Sequence, residues 1–425
     1  MSCRQRGTQL GNGRWDTRFV VRSRRDDGVE TVIVKGRLSP PEAKEDLVEE
    51  GALSIPALGL VLLCSTPSSL DTATGPSLQV PALPALAELL DPPRAARLIE
   101  AAVRGADPHH ESAVVASCEP EVMRYQPGSR CTTRYRVHYA EPTTAPELVV
   151  SKTHRGDEGL VAWNGMCALW ATDLAAGDVV AIAQPLSYDP STKVLFQGPV
   201  RGEVTLKAMV REALRTNDPA AIDHVGTILE RTADGLAALH GCGATAAETA
   251  TFELELAEVT DAWGRLVAVV PALEGSADAL FDLVLDLAGG SRADPVVPSH
   301  RSFRPAQVLV DGDRIGFIDF DGFCLAEPAL DVSLMRATLR CFGAAQPATG
   351  VGDRERELGA RLDVLDRWCD AFLQRYRSRA DATPERVLAW ELLDVFVNLQ
   401  NAWTKAIPAR PAVTLPVLAR LLSQL

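Results

Sequence analysis

Residues 300–323 read HRSFRPAQVLVDGDRIGFIDFDGF, and this stretch decides the fold. Gln307 to Val310 and Ile315 to Ile318 are short apolar runs on either side of Asp311-Gly312, a pair suited to the tight turn of a β-hairpin. Polar residues bracket the hairpin at both ends: His300, Arg301 and Ser302 before it, Asp319 and Asp321 after it. A short hairpin with polar groups at its mouth, set in a mostly helical region, is the arrangement of a site more than of a core.

The pattern around it is helical. Ala221 to His240 keeps apolar residues at 222, 225, 229, 236 and 239, one face of an amphipathic helix. Leu358, Leu362, Leu365, Trp368, Phe372 and Tyr376 trace another. Thr383-Pro384-Glu385 starts a third, with a capping hydroxyl and proline at the first helical position. Upstream the pattern changes to strands. VMRYQPGSRCTTRYRVHY (122–139) gives two around a Pro-Gly turn, and ELVVSK (147–152) gives one more. A helix is expected over 84–104, after a Pro- and Ser-rich linker or surface loop at 66–84. Residues 15–37 read as two strands around RRDDG, followed by a short helix at 40–50.

The chain has 425 residues, 46% of them hydrophobic and 23% charged, enough apolar material for a sizeable core. A net charge of −13 argues against general nucleic-acid binding. The longest apolar run, GALSIPALGLVLLC at 51–64, is too short to span a bilayer, so no membrane association is expected. Nine cysteines without a C-x-x-C pair fit reduced thiols in a cytoplasm. His109-His110-Glu111 has no second ligand pair and reads as a solvated loop. Only six of the 43 basic residues are lysines, and two lie inside apolar strands: Lys35 in TVIVKG and Lys152 in LVVSK.

The two motifs HRSFRPAQVLV and GFIDFDGF together resemble the catalytic segment of the aminoglycoside-phosphotransferase and choline-kinase family. There the pattern is usually H-G-D-x-x-x-x-N followed by I-D-F/W-D/E. Other segments fall where the resemblance expects them: LAALH at 236–240 before the catalytic loop, VLFQGPVRGEVTL at 194–206 as the inter-lobe hinge, and EPALD at 327–331 as a structural turn. Lys152 precedes His300 by 148 residues, close to the family's spacing between nucleotide lysine and catalytic loop.

The resemblance implies an α+β, bilobal protein-kinase-like fold, a small β-rich N-lobe and a mainly helical C-lobe, with an N-terminal α+β extension. The expected divisions are 1–115 for the extension, 116–200 for the N-lobe and hinge, and 201–425 for the C-lobe. It implies ATP and Mg²⁺ as cofactors and a small hydroxylated molecule as acceptor. Asp319 and Gln307 would hold the metal; Gln307 replaces the usual Asn. Lys152 would reach the phosphates as a point charge, and the turn at Gln126–Ser129, with Gly128 and Ser129, would offer backbone N–H groups. His300 would brace the loop, a catalytic-loop role.

Two departures stand out. Ser302 occupies the place of the family's catalytic Asp, and serine needs an activating partner to act as a base; Asp321 is the nearest substitute. No Asp or Glu lies between Glu158 and Asp173, so the helix after Lys152 gives that lysine no carboxylate, leaving Asp157 or Glu158 as candidates. These departures keep two functions open. One is a phosphotransferase. The other is a pseudokinase that binds a nucleotide, a peptide or a partner protein without transfer.

Overall fold

The computed structural model describes residues 2–11, 14–25, 28–39, 53–55, 60–64, 83–126, 128–176, 178–346, 354–405 and 407–425. The chain is α+β and bilobal. Its first strands are β1 (Ser2–Gly11), β2 (Arg14–Arg25), β3 (Gly28–Ser39), β4 (Leu53–Ile55) and β5 (Leu60–Cys64). They form one antiparallel sheet in the order β1-β2-β3-β5-β4. The strands expected within 15–37 are β2 and β3, paired from Trp15–Leu38 to Arg25–Gly28. The helix expected at 40–50 lies outside the described residues, as does the loop at 66–82.

Where one helix is expected over 84–104 there are two, α1 (Leu86–Leu90) and α2 (Pro92–Ala106). Asp91 is extended between them and its carboxylate accepts from the Arg94 N–H. Pro92 and Pro93 lack the N–H groups that would continue α1, yet suit the unpaired first turn of a new helix.

The N-lobe sheet contains β6 (Val115–Gln126), β7 (Arg130–Tyr139) and β8 (Leu148–His154). After α3 (Glu158–Trp170) and the short β9 (Ala181–Ile182), it adds β10 (Pro185–Asp189) and β11 (Val194–Gln197). The order β10-β11-β8-β7-β6 makes β8 the central strand. Strand pleating sends alternate side chains to opposite faces. Val149 on β8 joins Tyr135, Val137 and Phe196 in a cluster under Ile99, Ala102 and Val103 of α2. The Tyr135 hydroxyl fixes that face by donating to the Leu89 carbonyl, with Ser151 Oγ also 3.0 Å away. The opposite face of β8 therefore carries Lys152 and His154.

The C-lobe is mostly helical. It begins with β12 (Val204–Thr205), α4 (Leu206–Thr216), α5 (Pro219–Gly241), α6 (Phe252–Val267) and α7 (Asp278–Gly289). Four short strands follow: β13 (Val297–Ser299), β14 (Val308–Asp311), β15 (Arg314–Phe317) and β16 (Cys324–Ala326). Then come α8 (Ala329–Ala344), α9 (Arg354–Arg377), α10 (Pro384–Thr404) and α11 (Arg410–Leu422). The expected helices over 221–240 and 358–376 are α5 and α9.

The hairpin is β14–β15, shifted slightly from its expected register. Asp311 pairs with Arg314, so Gly312 and Asp313 form the turn, and Gly312 takes a φ of +56° that glycine adopts without strain. Gln307 ends a 3-10 turn, Pro305–Gln307, instead of opening a strand. Phe303, Phe317 and Phe320 bury the hairpin's inner side against Leu236 and Leu239 of α5. Arg336 and Arg340 of α8 share the buried Glu391 of α10, and Arg340 also reaches Asp366 of α9. Thr383 does precede α10, but its N–H and hydroxyl both donate to Asp294 instead of capping the helix. Among the described residues no helix is long and apolar enough to cross a membrane.

Candidate active site

Lys152 points from β8 across to the turn that follows β15. Its Nζ lies 2.6 Å from Asp319 Oδ1 and 2.9 Å from Asp321 Oδ1. Burial works to lower the lysine pKa, but the two carboxylates outweigh it and the net direction is upward. Lys152 is therefore a fixed cation. His154, two residues on and so on the same strand face, brings Nε2 to 3.2 Å from Asp321 Oδ2, and Arg130 of β7 approaches the same oxygen at 4.0 Å. Burial tends to raise the Asp321 pKa; the bond from His154 and the charge of Lys152 carry it well below the usual carboxylate range. Asp321 is thus held ionised by the cations of the N-lobe.

The turn bearing these acids is tightly built. Asp319 has φ +77°, a left-handed conformation that costs an ordinary residue about 1 kcal/mol and that aspartate tolerates better than most. The Ile318 N–H donates to the Gln307 carbonyl, which sets Asp319 one residue beyond Gln307's pairing partner. Gln307 is buried, and its Oε1 accepts from Arg304 Nε at 3.2 Å. Behind the turn, Phe320 stacks on His300 with ring centres 4.7 Å apart. Phe323 fits against Gly165 of α3, where a Cβ would come within 2.7 Å of the ring.

His300 is fully buried, and burial lowers its pKa, so the ring is neutral. Its backbone N–H donates to Asp331 at 2.6 Å. That carboxylate also meets His240 Nε2 at 3.2 Å, and His240 Nδ1 meets the Tyr376 hydroxyl at 2.7 Å. The Asp of EPALD is therefore a buried brace joining the loop to α5, α8 and α9. On the ring itself, Nε2 is 3.0 Å from the Ile318 carbonyl and Nδ1 is 3.2 Å from Ser302 Oγ. Arg301, at φ +61°, is anchored by Glu255 at 2.9 Å.

The residues singled out in the sequence fall into two groups. Lys152, Asp319 and Asp321 converge across the lobes with Gln307 on the adjoining segment, its side chain held by Arg304, and His300 with Ser302 forms a second pair on the loop. The turn at 126–129 is less open than expected. Gly128 has φ +68°, but the Ser129 N–H closes the turn onto the Gln126 carbonyl; Pro127 lies outside the described residues. Neither candidate acid beyond the strand serves Lys152: Asp157 pairs with Lys193 at 2.9 Å, and the lysine's partners are Asp319 and Asp321. His154 and Arg130 escaped the sequence reading. The strand period of two was the available signal for His154; Arg130 had none.

The sequence pattern of the family described as "Phosphotransferase enzyme family" matches residues 134–390, more than half of the chain. Among solved structures, a glucosamine kinase in complex with glucosamine, ADP and inorganic phosphate is similar at 18% identity and a TM-score of 0.49, covering 99% of this chain and 94% of that one. The apo form of a thermostable mutant of aminoglycoside phosphotransferase APH(4)-Ia has 12% identity and a TM-score of 0.46, with 72% and 95% covered. A choline/ethanolamine kinase family protein from Mesorhizobium loti has 13% identity and a TM-score of 0.45, with 72% and 87% covered. No curated protein sequence matches the chain. The lysine strand, the His300 loop and the Asp319 turn all lie within the matched span, and the chain belongs to the phosphotransferase enzyme family.

Proposed function

We propose that this chain is an ATP- and Mg²⁺-dependent phosphotransferase acting on a hydroxyl group of a small molecule. The observation that supports it most is the meeting of Lys152 with Asp319 at 2.6 Å, a strand cation of one lobe against an acid at the hairpin mouth of the other. Phosphoryl transfer depends mainly on positioning and charge neutralisation, and this pair supplies a point charge for phosphates beside a hard oxygen ligand.

The donor set fits Mg²⁺. Asp319 would offer carboxylate oxygens and Gln307 its amide oxygen, which accepts from Arg304 here and would turn to the metal, with the backbone bond between Gln307 and Ile318 holding the two on adjoining segments. Bound there, the metal would neutralise charge on the phosphate oxygens. Lys152 would bind the phosphates, oriented by Asp321, which is too firmly ionised to take up a proton.

The proton falls to the loop pair. A carbonyl only accepts, so His300 Nε2 donates to Ile318 and Nδ1 is free to accept from the Ser302 hydroxyl. The acceptor's hydroxyl proton passes to Ser302 Oγ as the serine's own proton moves to His300 Nδ1. Burial works against the imidazolium that results and keeps the resting ring neutral; the charges of Asp331 and Asp319 offset part of that cost. The γ-phosphoryl group then sits on the acceptor oxygen and ADP leaves.

Serine at 302 and an α3 with no acid beyond Glu158 favour the rival reading, a pseudokinase. Calorimetric titration of ATP with and without Mg²⁺, on wild type and Asp319→Ala, followed by γ-phosphate transfer, separates the two. Binding that needs both Mg²⁺ and Asp319, with turnover, is the expected result. Binding without any transfer to a broad set of hydroxylated acceptors would favour the pseudokinase, and absence of binding would overturn the proposal.

A further inference from the structure

Five basic side chains from four separate segments gather beside the Ser302 loop. Lys207 and Arg211 lie on the first turns of α4, and Arg304 follows Ser302 by two residues. Lys405 caps the C-terminal end of α10 and Arg410 opens α11. Arg304 sits centrally: it is within electrostatic reach of Lys207 on one side and of Lys405 on the other, and Lys405 is within reach of Arg410. Both α4 and α8 pack on the Pro305–Gln307 turn. Phe342 of α8 forms an apolar floor, with Lys207 Nζ 4.7 Å and the Arg211 guanidinium 5.5 Å from its ring centre.

Among the described residues no carboxylate pairs with any of the five. Arg304 donates to Gln307 and Arg410 to the Asn398 carbonyl, both neutral acceptors. Elsewhere the chain neutralises its arginines readily: Arg301, Arg336, Arg340, Arg375, Arg386 and Arg420 each hold an acid. With 56 acidic residues against 43 basic ones, acids are in surplus, yet none is spent here. Burial and mutual repulsion both work against the charge of Lys207 and of Lys405, the environment a bound anion would relieve.

We propose that this cluster binds an anionic group on the acceptor, so that the hydroxyl phosphorylated at Ser302 belongs to a small molecule already carrying a phosphate or a carboxylate. This deepens the phosphotransferase reading and rests on it. The backbone is extended at Arg304, with φ −157° and ψ 165°. Arg304 follows Ser302 by two residues, at most about 7 Å along the chain, which suits a sugar-sized molecule with its hydroxyl at one end and its anion at the other. Arginine forks and lysine ammoniums give charge-assisted bonds to either kind of anion.

The test titrates glucose 6-phosphate, glucuronate and neutral glucose into the full chain, with and without Mg²⁺ and a non-hydrolysable ATP analogue, at low and moderate salt. At least one anion is expected to bind roughly tenfold tighter than glucose, and to weaken as salt rises. Preference for the first anion assigns a phosphate, for the second a carboxylate. The Lys207→Gln/Arg211→Gln variant is expected to lose about tenfold in anion affinity while its melting temperature holds. Anions that bind no better than glucose overturn the inference. So does competitive displacement by the analogue, which would assign the cluster to the nucleotide. A wild type that binds anions but no analogue sinks the phosphotransferase reading, and the acceptor assignment falls with it.

Discussion

Ser302 Oγ stands 3.2 Å from His300 Nδ1, while the ring's other nitrogen is 3.0 Å from the Ile318 carbonyl. The Ile318 carbonyl fixes the tautomer and so gives the serine a proton acceptor. A residue that is a weak base alone acquires a partner from the loop that carries it.

Ser302→Ala should lower kcat about 100-fold, the range of a lost acid–base contact, while leaving the KM for ATP within about twofold. Lys152 and Asp319 are untouched by the change. Steady-state kinetics check this, and an unchanged kcat would remove the serine from the proton's route.

Lys152→Met leaves two acids without their shared cation. It should cost about 3 kcal/mol at pH 7, typical of breaking a buried pair, and abolish nucleotide binding. The folded pKa of Asp321 is depressed, so its contribution is complete above the unfolded value of about 3.9 and is lost as pH falls through the folded one. The gap between variant and wild type should therefore narrow below about pH 4. Thermal melts from pH 7 downward measure it; a gap constant with pH would count against the pairing.

Asp394 has the opposite sign. Burial pushes its pKa well up, a bond from Ser333 opposes this, and the nearby Glu391 adds to it. The folded chain holds this proton longer than the unfolded one, so stability falls as pH rises from about 3.9 to the folded value. Asp394→Asn keeps an oxygen for Ser333. Its melting temperature should match wild type near pH 4 and exceed it at pH 8, and equality at both would show that the ionised carboxylate costs nothing.

Gly165→Ala sets two effects against each other. Helix propensity favours alanine by about 1 kcal/mol, whereas overpacking costs roughly 1–3 kcal/mol. A Cβ 2.7 Å from Phe323 has an aromatic ring to displace, so the net change should be a loss. Because Phe323 closes the turn holding Asp319 and Asp321, nucleotide affinity should fall with the melting temperature. A variant more stable than wild type would show that the ring yields freely.

Much of the site was legible because its signals are local. The hairpin announced itself through a turn pair between apolar runs, and Lys152 through its misfit in an apolar strand. His154 was legible in principle, since a strand places residues i and i+2 on one face. The misreadings have local causes too. Asp311-Gly312 marked the turn within one residue but left the register free. Thr383 stood at a helix start without capping it, because Asp294, distant in sequence, takes both its donors. The double proline at 92–93 carried the signal that splits α1 from α2. The carboxylates that serve Lys152 could not be found from spacing near the strand, since they lie 167 and 169 residues away.

Beyond Glu158 in its first turn, α3 bears no acid, and both partners of Lys152 belong to the turn after β15. In protein kinases the lysine's acid rides on the corresponding helix, and moving that helix breaks the pair and silences the enzyme. Here α3 holds neither acid of the pair, and it meets their turn through Gly165 packed on Phe323. The helix is therefore coupled to the charges of the site through an aromatic contact and not an ion pair, a link that answers to side-chain volume and not to salt.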